Sequence, residues 1–261
     1  MSGSGADLLK ISVITAVFNR AGTVGQALGS VAEQTWRDVE HVVIDGASTD
    51  GTLRVLEAHR RQLAVLVSEP DAGIYDALNK GLRHATGDVV GFLHADDTFE
   101  SPDVLARVAA AFADPTVDAV YGDLVYVREQ DPTQVVRYWR ADAFEPGCLE
   151  RGWMPPHPTF YVRRAVYERL GGFDTRFRIS ADYDCILRFL GRGGIRPAYL
   201  PQVLVRMRLG GISNRSLRNL VRKSLEDYEA LRMSGVGGAQ ALLRKNLVKL
   251  PQFVHRAPVG N

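Results

Sequence analysis

The stretch that decides the fold runs from residue 11 to residue 45 and reads ISVITAVFNRAGTVGQALGSVAEQTWRDVEHVVID. Residues 11–17 form a largely apolar run rich in β-branched side chains, which is typical of a strand buried on both faces. Apolar side chains then recur at helical spacing across residues 24–31, and residues 39–44 form a second apolar run. This order of strand, helix and strand predicts a right-handed βαβ unit with parallel strands.

The same alternation continues through the first half of the chain. Further strands are predicted at 63–67, 89–93 and 119–121, and further helices at 52–60 and 74–85. Another helix is expected to begin at Ser101, where a capping hydroxyl precedes proline and aspartate. The predicted fold class is therefore α/β, with a Rossmann-like, mostly parallel central sheet flanked by helices.

The second half of the chain follows a different pattern. Strands at 123–127 and 135–139 are expected to extend the sheet, whereas residues 145–159 are rich in proline and glycine and predict a loop. The remaining predicted elements are helices at 163–170, 181–190, 214–232 and 239–250, and short strands near 198 and at 203–207.

The length of 261 residues suits one large domain with a helical tail. We expect a flexible N-terminus over 1–10 and a domain over 11–213 whose two halves are 11–123 and 124–213. The C-terminal helical tail is expected over 214–261.

Charge and cysteine content exclude several classes of protein. The net charge of +2 is too small to indicate nucleic-acid binding. The two cysteines form no CxxC pair, which favours reduced thiols in a cytoplasmic protein. The first residues lack the pattern of a signal peptide, and the apolar run at 11–18 is too short to span a bilayer. We therefore expect a cytoplasmic protein that does not bind nucleic acid.

Polar side chains follow the predicted strands where each strand ends. Asn19 and Asp45 follow the first two strands, and residues 69–71 and 94–97 follow the next two. Ligands of open parallel sheets bind beyond the carboxyl ends of the strands. The sequence therefore predicts a nucleotide site at this edge of the sheet.

Asp96 and Asp97 are adjacent carboxylates at a strand end. They repel each other unless a cation lies beside them. Carboxylate oxygens suit Mg²⁺ or Mn²⁺, which usually bind one or two carboxylates together with substrate phosphates. The alternative is a solvated turn before the helix that begins near Ser101.

Other polar positions allow both a chemical and a structural interpretation. Asp45 can accept a hydrogen bond from a nucleobase or ribose, whereas residues 48–50 can cap the next helix. Asp182 is either a catalytic group or an acid that favours the first turn of a helix capped by Ser180. His157 lies between two prolines. A histidine in such a rigid loop more often forms a hydrogen bond within the loop than takes part in catalysis.

Neither GxGxxG nor a P-loop is present, so the signatures of dinucleotide-binding proteins and P-loop enzymes are missing.

Together these residues resemble the family-2 inverting glycosyltransferases, which have the GT-A fold. The matching stretches are SVITAVFNRAGTVGQALGSVAEQTW, VVIDGASTDGT, EPDAGIYDALNKGLRHATGD, GFLHADD, VYGD, HPTFYVRRAVYERLGGFD and ISADYDCILRF. They extend from residue 11 to about residue 213 in matching order and spacing. The resemblance implies a nucleotide-sugar-binding half at 11–123 and an acceptor and catalytic-base half at 124–213.

The resemblance also implies a role for each matching residue. The base and ribose pocket is expected to include Ala16, Phe18, Asn19 and Asp45, and the nucleotide and diphosphate to be flanked by Asp71, Tyr75 and Lys80. Asp96 and Asp97 are expected to hold the ribose and a divalent metal, Mn²⁺ or Mg²⁺. Asp182 stands where the family has its catalytic base. The acceptor side is expected to include Asp123, His157, Tyr183 and the turn at 210–213.

The chain departs from the family at two positions. Many relatives have two acids where this chain has Asp45 and Gly46, so a contact that often reads uracil is missing. Many relatives also have an acid in place of His94, so the metal is expected to be held by Asp97 with Asp96. The donor nucleotide therefore stays open among UDP, GDP and dTDP.

The expected activity is inverting transfer of one sugar from a nucleoside-diphosphate sugar to a hydroxyl group. The acceptor is expected to be a glycan, a lipid-linked glycan or a glycolipid in the synthesis of cell-surface material. One carboxylate suffices for a single displacement, whereas a glycosidase needs two facing carboxylates. One alternative is a sugar-1-phosphate nucleotidyltransferase. That class needs a glycine-rich loop with an arginine after the first strand, and residues 18–22 match such a loop poorly. The other alternative is a catalytically silent nucleotide-sugar-binding protein.

The C-terminal tail is basic and apolar. No carboxylate follows Glu229, and the later basic residues include Arg232, Arg244, Lys245, Lys249 and Arg256, accompanied by leucines. A basic amphipathic helix predicts peripheral contact with an anionic membrane surface, here the inner face of the cell membrane. The alternative is a helix packed on the domain with a solvated basic face.

Overall fold

The computed structural model describes residues 9–209 and 217–248. Most of the expected N-terminal segment and the turn at 210–213 lie outside these ranges. The end of the tail, including Lys249 and Arg256, also lies outside them.

The first half of the chain forms the predicted βαβ units. Its elements are β1 (Ile11–Val17), α1 (Val24–Ala32), β2 (Val39–Asp45), α2 (Thr52–Ala58), β3 (Val65–Ser68), α3 (Ile74–His84) and β4 (Val89–Phe92). The four strands are parallel and lie in the order β3-β2-β1-β4. Every residue of β1 is buried, as expected of a central strand in a parallel sheet. The predicted α/β core is therefore confirmed.

The second half adds a mixed sheet region and further helices. Its elements are β5 (Thr98–Phe99), α4 (Val104–Ala111), β6 (Ala119–Val127), β7 (Val135–Trp139), β8 (Tyr161–Arg163), α5 (Arg164–Leu170), α6 (Ala181–Leu187), β9 (Pro197–Arg208), α7 (Leu217–Ser234) and α8 (Ala239–Val248). Over the described ranges, nine strands form one sheet in the order β3-β2-β1-β4-β8-β6-β9-β5, with β7 paired to β6. β8 is antiparallel to both β4 and β6, whereas β6 and β9 are parallel.

Several elements of the second half differ from their sequence-based prediction. β6 runs through residue 122, where two strands were expected, and β9 likewise joins two predicted strands. The pairing of β6 with β9 shifts register around Gly122 and Asp123, which accommodates the irregularity without ending either strand. β8 was not predicted, because a strand of three residues is too short to show an alternation of apolar and polar side chains. α4 begins at Val104, after a turn in which Ser101 hydrogen-bonds to Asp103.

Alternate residues of β1 enter different apolar clusters. Ile14 belongs to a cluster that includes buried side chains of α3 and α6, and Val13 to one that includes buried side chains of α4. The first cluster also contains Ala230, Leu231 and Ala241, so both tail helices pack on the domain. Within the described ranges, no helix combines the length and apolar content required to cross a bilayer.

Candidate active site

The carboxyl ends of β1, β2 and β3 meet because their pairing is in register. Val17 is the partner of Asp45, and Asp45 is the partner of Ser68. Polar residues that follow these strands are therefore brought to one edge of the sheet, where parallel sheets bind ligands.

Asn19 joins the loops that follow β1 and β2. It has a φ of 52°, in the left-handed region that asparagine tolerates better than most residues. Its backbone N–H donates to Ser48 Oγ at 2.8 Å, and its Oδ1 accepts from Thr49 N–H at 2.9 Å. Asn19 thus fixes to each other the two loops at this edge of the sheet, which is the expected ligand-binding cleft.

Asp45 is fully buried at the end of β2. Its carboxylate accepts from the backbone N–H and hydroxyl of Ser48 and from the Ser68 hydroxyl, which lies 2.6 Å away. The protein therefore supplies hydrogen-bond partners for both oxygens. Ala16, near the end of β1, is 8% exposed and belongs to the apolar core. A direct contact of Asp45 or Ala16 with the nucleotide stays a prediction.

Phe18, Gly46 and Asp71 lie close together beyond the carboxyl ends of β1, β2 and β3. Phe18 is 57% exposed at the end of β1. A Cβ atom on Gly46 would lie 2.4 Å from Asp71 Oδ2 and 3.4 Å from the Phe18 ring. The Asp71 carboxylate, which also accepts from Gly73 N–H at 2.9 Å, thus occupies the space that a side chain at position 46 would need.

Lys80 projects from α3 toward the loop that follows β3. Its Nζ atom lies 2.7 Å from Glu69 Oε1 and donates to the carbonyl of Pro70 at 2.7 Å. Asp76 lies 3.8 Å from the same ammonium group. The Lys80 side chain is 12% exposed. Its contacts with Glu69 and Pro70 fix the loop that carries Asp71.

Asp96 lies beside the β1 loop. Arg20 Nε lies 2.8 and 2.9 Å from its two carboxylate oxygens, and Thr23 Oγ1 donates at 2.8 Å. The Asp96 side chain remains 31% exposed. Arg20 and Thr23 give no local signal of this role in the sequence, because their contacts with Asp96 span more than 70 residues of chain.

Asp97 is almost completely buried, at 1% exposure. Its Oδ1 accepts from the backbone N–H of Arg208 at 3.2 Å, whereas Oδ2 has no hydrogen-bond partner within the described ranges. Burial raises the pKa of Asp97 well above its usual range; the N–H of Arg208 opposes this effect, and the neighbouring Asp96 adds to it.

This unpaired oxygen fits a divalent cation. The described residues contain no group of three or more acidic, histidine or cysteine side chains that would hold a metal by themselves. Mn²⁺ and Mg²⁺ in phosphate sites commonly use only one or two protein carboxylates, with the substrate supplying further oxygens. Asp97 and the adjacent Asp96 are the carboxylates expected to hold such an ion, and their contact with a metal stays a prediction.

Asp182 lies in the first turn of α6 and is partly buried. The hydroxyl of Tyr75 lies 3.1 Å from Asp182 Oδ1 and 2.6 Å from the carbonyl oxygen of Ile179. Burial alone would raise the pKa of Asp182, but the nearby His157, Lys245 and Tyr75 lower it. The carboxylate is therefore ionised at neutral pH and can accept a proton.

His94 and His157 connect the acidic turn after β4 with the surroundings of Asp182. Their Nε2 atoms lie 2.7 Å apart. Burial lowers the pKa of His94 to about 4 and also lowers the pKa of His157, an effect that the nearby Asp182 opposes. One Nε2–H of the pair donates to the other Nε2. His157 and Asp182 line the same small cavity together with Phe92 and Phe173.

Two residues that were predicted to lie on the acceptor side are buried and contact other protein groups. Asp123 is 2% exposed and accepts hydrogen bonds from the hydroxyls of Tyr138 and Tyr199 and from the N–H of Ala141. Tyr183 is 1% exposed, and its ring packs under the Lys245 ammonium group. Neither side chain opens onto the cleft, so their contact with an acceptor remains a prediction.

The fold is that of the GT-A glycosyltransferases, as the solved structures that resemble this chain show. The chain is similar to the mannosyltransferase PcManGT from Pyrobaculum calidifontis in complex with GDP-Man and Mn²⁺, with a TM-score of 0.65 and 26% identity over 93% of this chain and 70% of that chain. The structure of S. aureus TarS 1–349 in complex with UDP gives a TM-score of 0.64 over 95% and 71% of the two chains. At 19% identity, that likeness shows the shared fold.

Sequence comparison gives the family. Residues 12–179 match the model of Glycosyl transferase family 2. An uncharacterized glycosyltransferase of Mycobacterium tuberculosis is 34% identical over 187 residues, 68% of each chain. A PGL/p-HBAD biosynthesis glycosyltransferase of Mycobacterium bovis is 32% identical over 208 residues, 78% of each chain. The chain belongs to glycosyl transferase family 2, which confirms the resemblance seen in the sequence.

Proposed function

We propose that this glycosyltransferase moves a sugar from a nucleoside-diphosphate sugar to an acceptor hydroxyl with inversion at the anomeric carbon. The observation that carries the proposal is the connection between the acid pair and Asp182. His94, two residues before Asp96, contacts His157, which lines one cavity with Asp182. The proposed diphosphate end and the proposed proton acceptor are thus linked by the contact of His94 with His157 and by the cavity that His157 lines together with Asp182.

The donor's diphosphate end is proposed to bind at Asp96 and Asp97. The orphan Oδ2 of Asp97 and the partly exposed Asp96 would hold Mn²⁺ or Mg²⁺. When bound, a divalent cation neutralises the negative charge that develops on the leaving nucleoside diphosphate. Arg20 fixes the orientation of Asp96 through contacts to both of its oxygens.

Asp182 is proposed to be the catalytic base. It would take the proton of the acceptor hydroxyl as that oxygen attacks the anomeric carbon from the face opposite the diphosphate. Tyr75 has one hydroxyl proton and two acceptors, Asp182 and the Ile179 carbonyl, so the Asp182 oxygen retains capacity to accept a proton from the substrate.

The donor nucleotide is proposed to be one of UDP, GDP and dTDP. PcManGT is described with GDP-Man and TarS with UDP, so relatives of this fold accommodate different bases. In this chain the Asp71 carboxylate occupies the space beside Gly46. Asp71 is therefore the acidic group at that point of the cleft and is proposed to read the base or ribose.

The acceptor is proposed to be a lipid-linked glycan or glycolipid. The similarity to a PGL/p-HBAD biosynthesis glycosyltransferase supports this class of acceptor. The exposed side of α7 also supports it, because Leu220, Val221 and Leu225 are 44%, 60% and 65% exposed beside the exposed Arg218. An apolar and basic helix face suits peripheral contact with the anionic inner face of the cell membrane.

The predicted role of Lys245 at such a surface is not supported. Lys245 is 1% exposed and forms an ion pair with Asp227, because α8 packs on the domain. Contact with a membrane is therefore proposed for α7 and not for a basic face that includes Lys245.

A binding and turnover panel tests the proposed function. Binding of UDP, GDP, dTDP and CDP is measured with manganese and with EDTA, and matching nucleotide-sugars are then tested with lipid-linked acceptors. We expect manganese-dependent binding of one diphosphate and a product of inverted anomeric configuration by NMR. Release of pyrophosphate from a nucleoside triphosphate would instead indicate a nucleotidyltransferase, and manganese-independent binding would contradict the cation site.

A further inference from the structure

The segment that leads into α6 lacks the cap that its sequence predicts. Ser180 was expected to cap this helix, but its hydroxyl makes no capping bond and has no partner within the described ranges. Instead, Glu226 of α7 accepts the backbone N–H groups of Ile179 and Ser180 on one oxygen, at 2.8 and 3.0 Å. A carboxylate from the tail therefore satisfies two backbone donors immediately before the helix that carries Asp182.

The Ile179 residue is held from both sides. Its N–H donates to Glu226, and its carbonyl accepts from the Tyr75 hydroxyl at 2.6 Å. The same hydroxyl lies 3.1 Å from Asp182 Oδ1. Glu226 is thus connected to the carboxylate of Asp182 through one backbone unit and one tyrosine side chain.

A buried ion pair joins α7 to α8, and its lysine also contacts α6. Asp227, the neighbour of Glu226, lies 2.8 Å from Lys245 Nζ of α8, and both side chains are less than 5% exposed. The ammonium group lies 3.1 Å from the centroid of the Tyr183 ring on α6. Breaking such a pair by removal of one partner is strongly destabilising, so α6, α7 and α8 form one packed unit.

A close backbone contact anchors α8 to the loop before β8. Gly152 has a φ of 84°, and a Cβ atom there would lie 2.4 Å from the backbone nitrogen of Lys245. The backbones of this loop and α8 are therefore in close contact. Together with the core packing of Ala230, Leu231 and Ala241, this contact places α7 and its Glu226 against the domain.

We propose that Glu226 is a positioning residue for the catalytic base: it fixes the Ile179–Ser180 backbone, and through Tyr75 it sets the orientation of Asp182. This inference rests on the proposed role of Asp182. It assigns the C-terminal helices, which lie beyond residues 12–179 of the family match, a direct part in building the site.

The test compares three substitutions of Glu226 with a matched control. Glu226→Ala removes the acceptor, Glu226→Asp retracts it by one methylene, and Glu226→Gln keeps an oxygen that can accept both N–H groups. Glu229→Ala, on the exposed side of the same helix, is the control. Turnover, donor KM, manganese-dependent binding of the nucleoside diphosphate and Tm are measured for each variant.

We expect Glu226→Ala and Glu226→Asp to lower kcat about tenfold to a hundredfold, because misplacement of a catalytic group by about 1 Å has effects of this size. Nucleotide binding and donor KM should stay within about twofold of the parent, and Glu226→Gln should recover most of kcat. Should the alanine variant fail to fold, the aspartate variant, which keeps the charge, provides the comparison. Equal kcat in the parent and the folded aspartate variant would overturn the proposal.

A double-mutant cycle separates this inference from the proposed function. In an Asp182→Asn background, Glu226→Asp should cause no further loss of kcat, since residues that act through one group are not additive. An equal loss in both backgrounds would show that Glu226 acts elsewhere. Unchanged kcat in Asp182→Asn alone would remove the base assignment, whatever the result at Glu226.

Discussion

Asp182 is set apart from the other acids of the site by its neighbours. His157, Lys245 and Tyr75 offset the effect of its burial and lower its pKa. Asp45 and Asp123, in contrast, hold hydrogen bonds from several protein donors. An ionised carboxylate with unused acceptor capacity is the chemical requirement for a base at neutral pH.

Replacement of Asp182 by asparagine tests this assignment. Asp182→Asn should lower kcat about 10²- to 10⁴-fold, the range typical of losing a general base. Nucleotide binding should persist, because the substitution keeps the size of the side chain and leaves Asp96 and Asp97 unchanged. Initial rates and calorimetric binding with manganese check both expectations, with the exposed Glu57→Gln on α2 as a control. Parent-like turnover would exclude Asp182 as the base.

The pKa of Asp97 is shifted in the opposite direction to that of Asp182. One of its oxygens is buried without a hydrogen-bond partner, and burial raises its pKa. An unpaired buried charge is costly to the folded state, and a bound cation removes that cost.

Asp97→Asn should therefore separate metal binding from folding. Manganese with the nucleoside diphosphate should stabilise the parent by about 3 kcal/mol at a hundredfold excess over Kd. For a domain of this size that corresponds to roughly 5–10 °C in Tm. The variant should lose this increase while its Tm in EDTA stays equal to the parent or rises. A full manganese effect in the variant would argue against Asp97 as a ligand.

At the scale of elements, the loops after β2 and β3 are fitted to each other at Gly46. An added methyl group would overlap the Asp71 carboxylate, which is the end of a side chain that can move. Gly46→Ala should therefore displace Asp71 while leaving the fold nearly intact. We expect nucleotide affinity to fall about threefold to tenfold, or roughly 1 kcal/mol.

The comparison needs two reference proteins. Gly29→Ala, in α1 with no atom within 4 Å of the new Cβ, controls for glycine replacement. In an Asp71→Ala background, Gly46→Ala should have no further effect on the measured Kd. If it still weakens binding there by the same factor, the overlap with Asp71 is not the cause.

At the scale of the whole molecule, Glu40 links β2 to β1 and to the segment before β4. These contacts lie at the amino ends of the strands, whereas the site lies at their carboxyl ends. It lies near the start of β2 and accepts hydrogen bonds from Ser12 of β1 and from Thr86 and Gly87 before β4. Lys10 Nζ lies 2.8 Å from its carboxylate. Burial alone would raise the pKa of Glu40, but the hydrogen bonds from Lys10, Ser12 and Thr86 lower it from 4.5 to about 2.

Glu40 should therefore make stability depend on pH without affecting catalysis. A folded-state pKa below the unfolded value gives stability that is present above pH 4.5 and is lost as pH falls toward about 2. At about 1.4 kcal/mol per pKa unit, this amounts to roughly 3 kcal/mol. Denaturant unfolding at pH 7 should show most of this loss in Glu40→Gln, with kcat unchanged. A variant as stable as Glu57→Gln would contradict the assignment.

The exposed face of α7 bears on where the whole enzyme acts. Val221→Glu combined with Leu225→Glu should weaken sedimentation with phosphatidylglycerol vesicles at least tenfold, because it replaces two exposed apolar side chains by charges of the wrong sign. Val136→Glu, at an exposed apolar residue of β7, is the control. Turnover of a soluble acceptor should not change. Equal binding of the parent to phosphatidylcholine and phosphatidylglycerol vesicles would exclude an anionic membrane surface as the partner.

Local patterns in the sequence determined the βαβ half of this protein and the positions of its acids. The apolar run of β1 and the helical spacing after it depend only on neighbouring residues, so periodicity was sufficient to predict them. The order of the motifs was likewise enough to indicate the family. Asp96, Asp97 and Asp182 could therefore be named as candidate residues before any contact between distant segments was known.

Tertiary structure alone decided which of these groups are free to act. The pairing of His94 with His157, the overlap of position 46 with Asp71 and the hydrogen bonds of Glu226 to the segment before α6 all join residues far apart in the chain. Such contacts leave no periodic signal, since each depends on how separate elements pack. Ser180 had the residue type of a cap, but the fold supplied a carboxylate from α7 to the N–H groups before the helix.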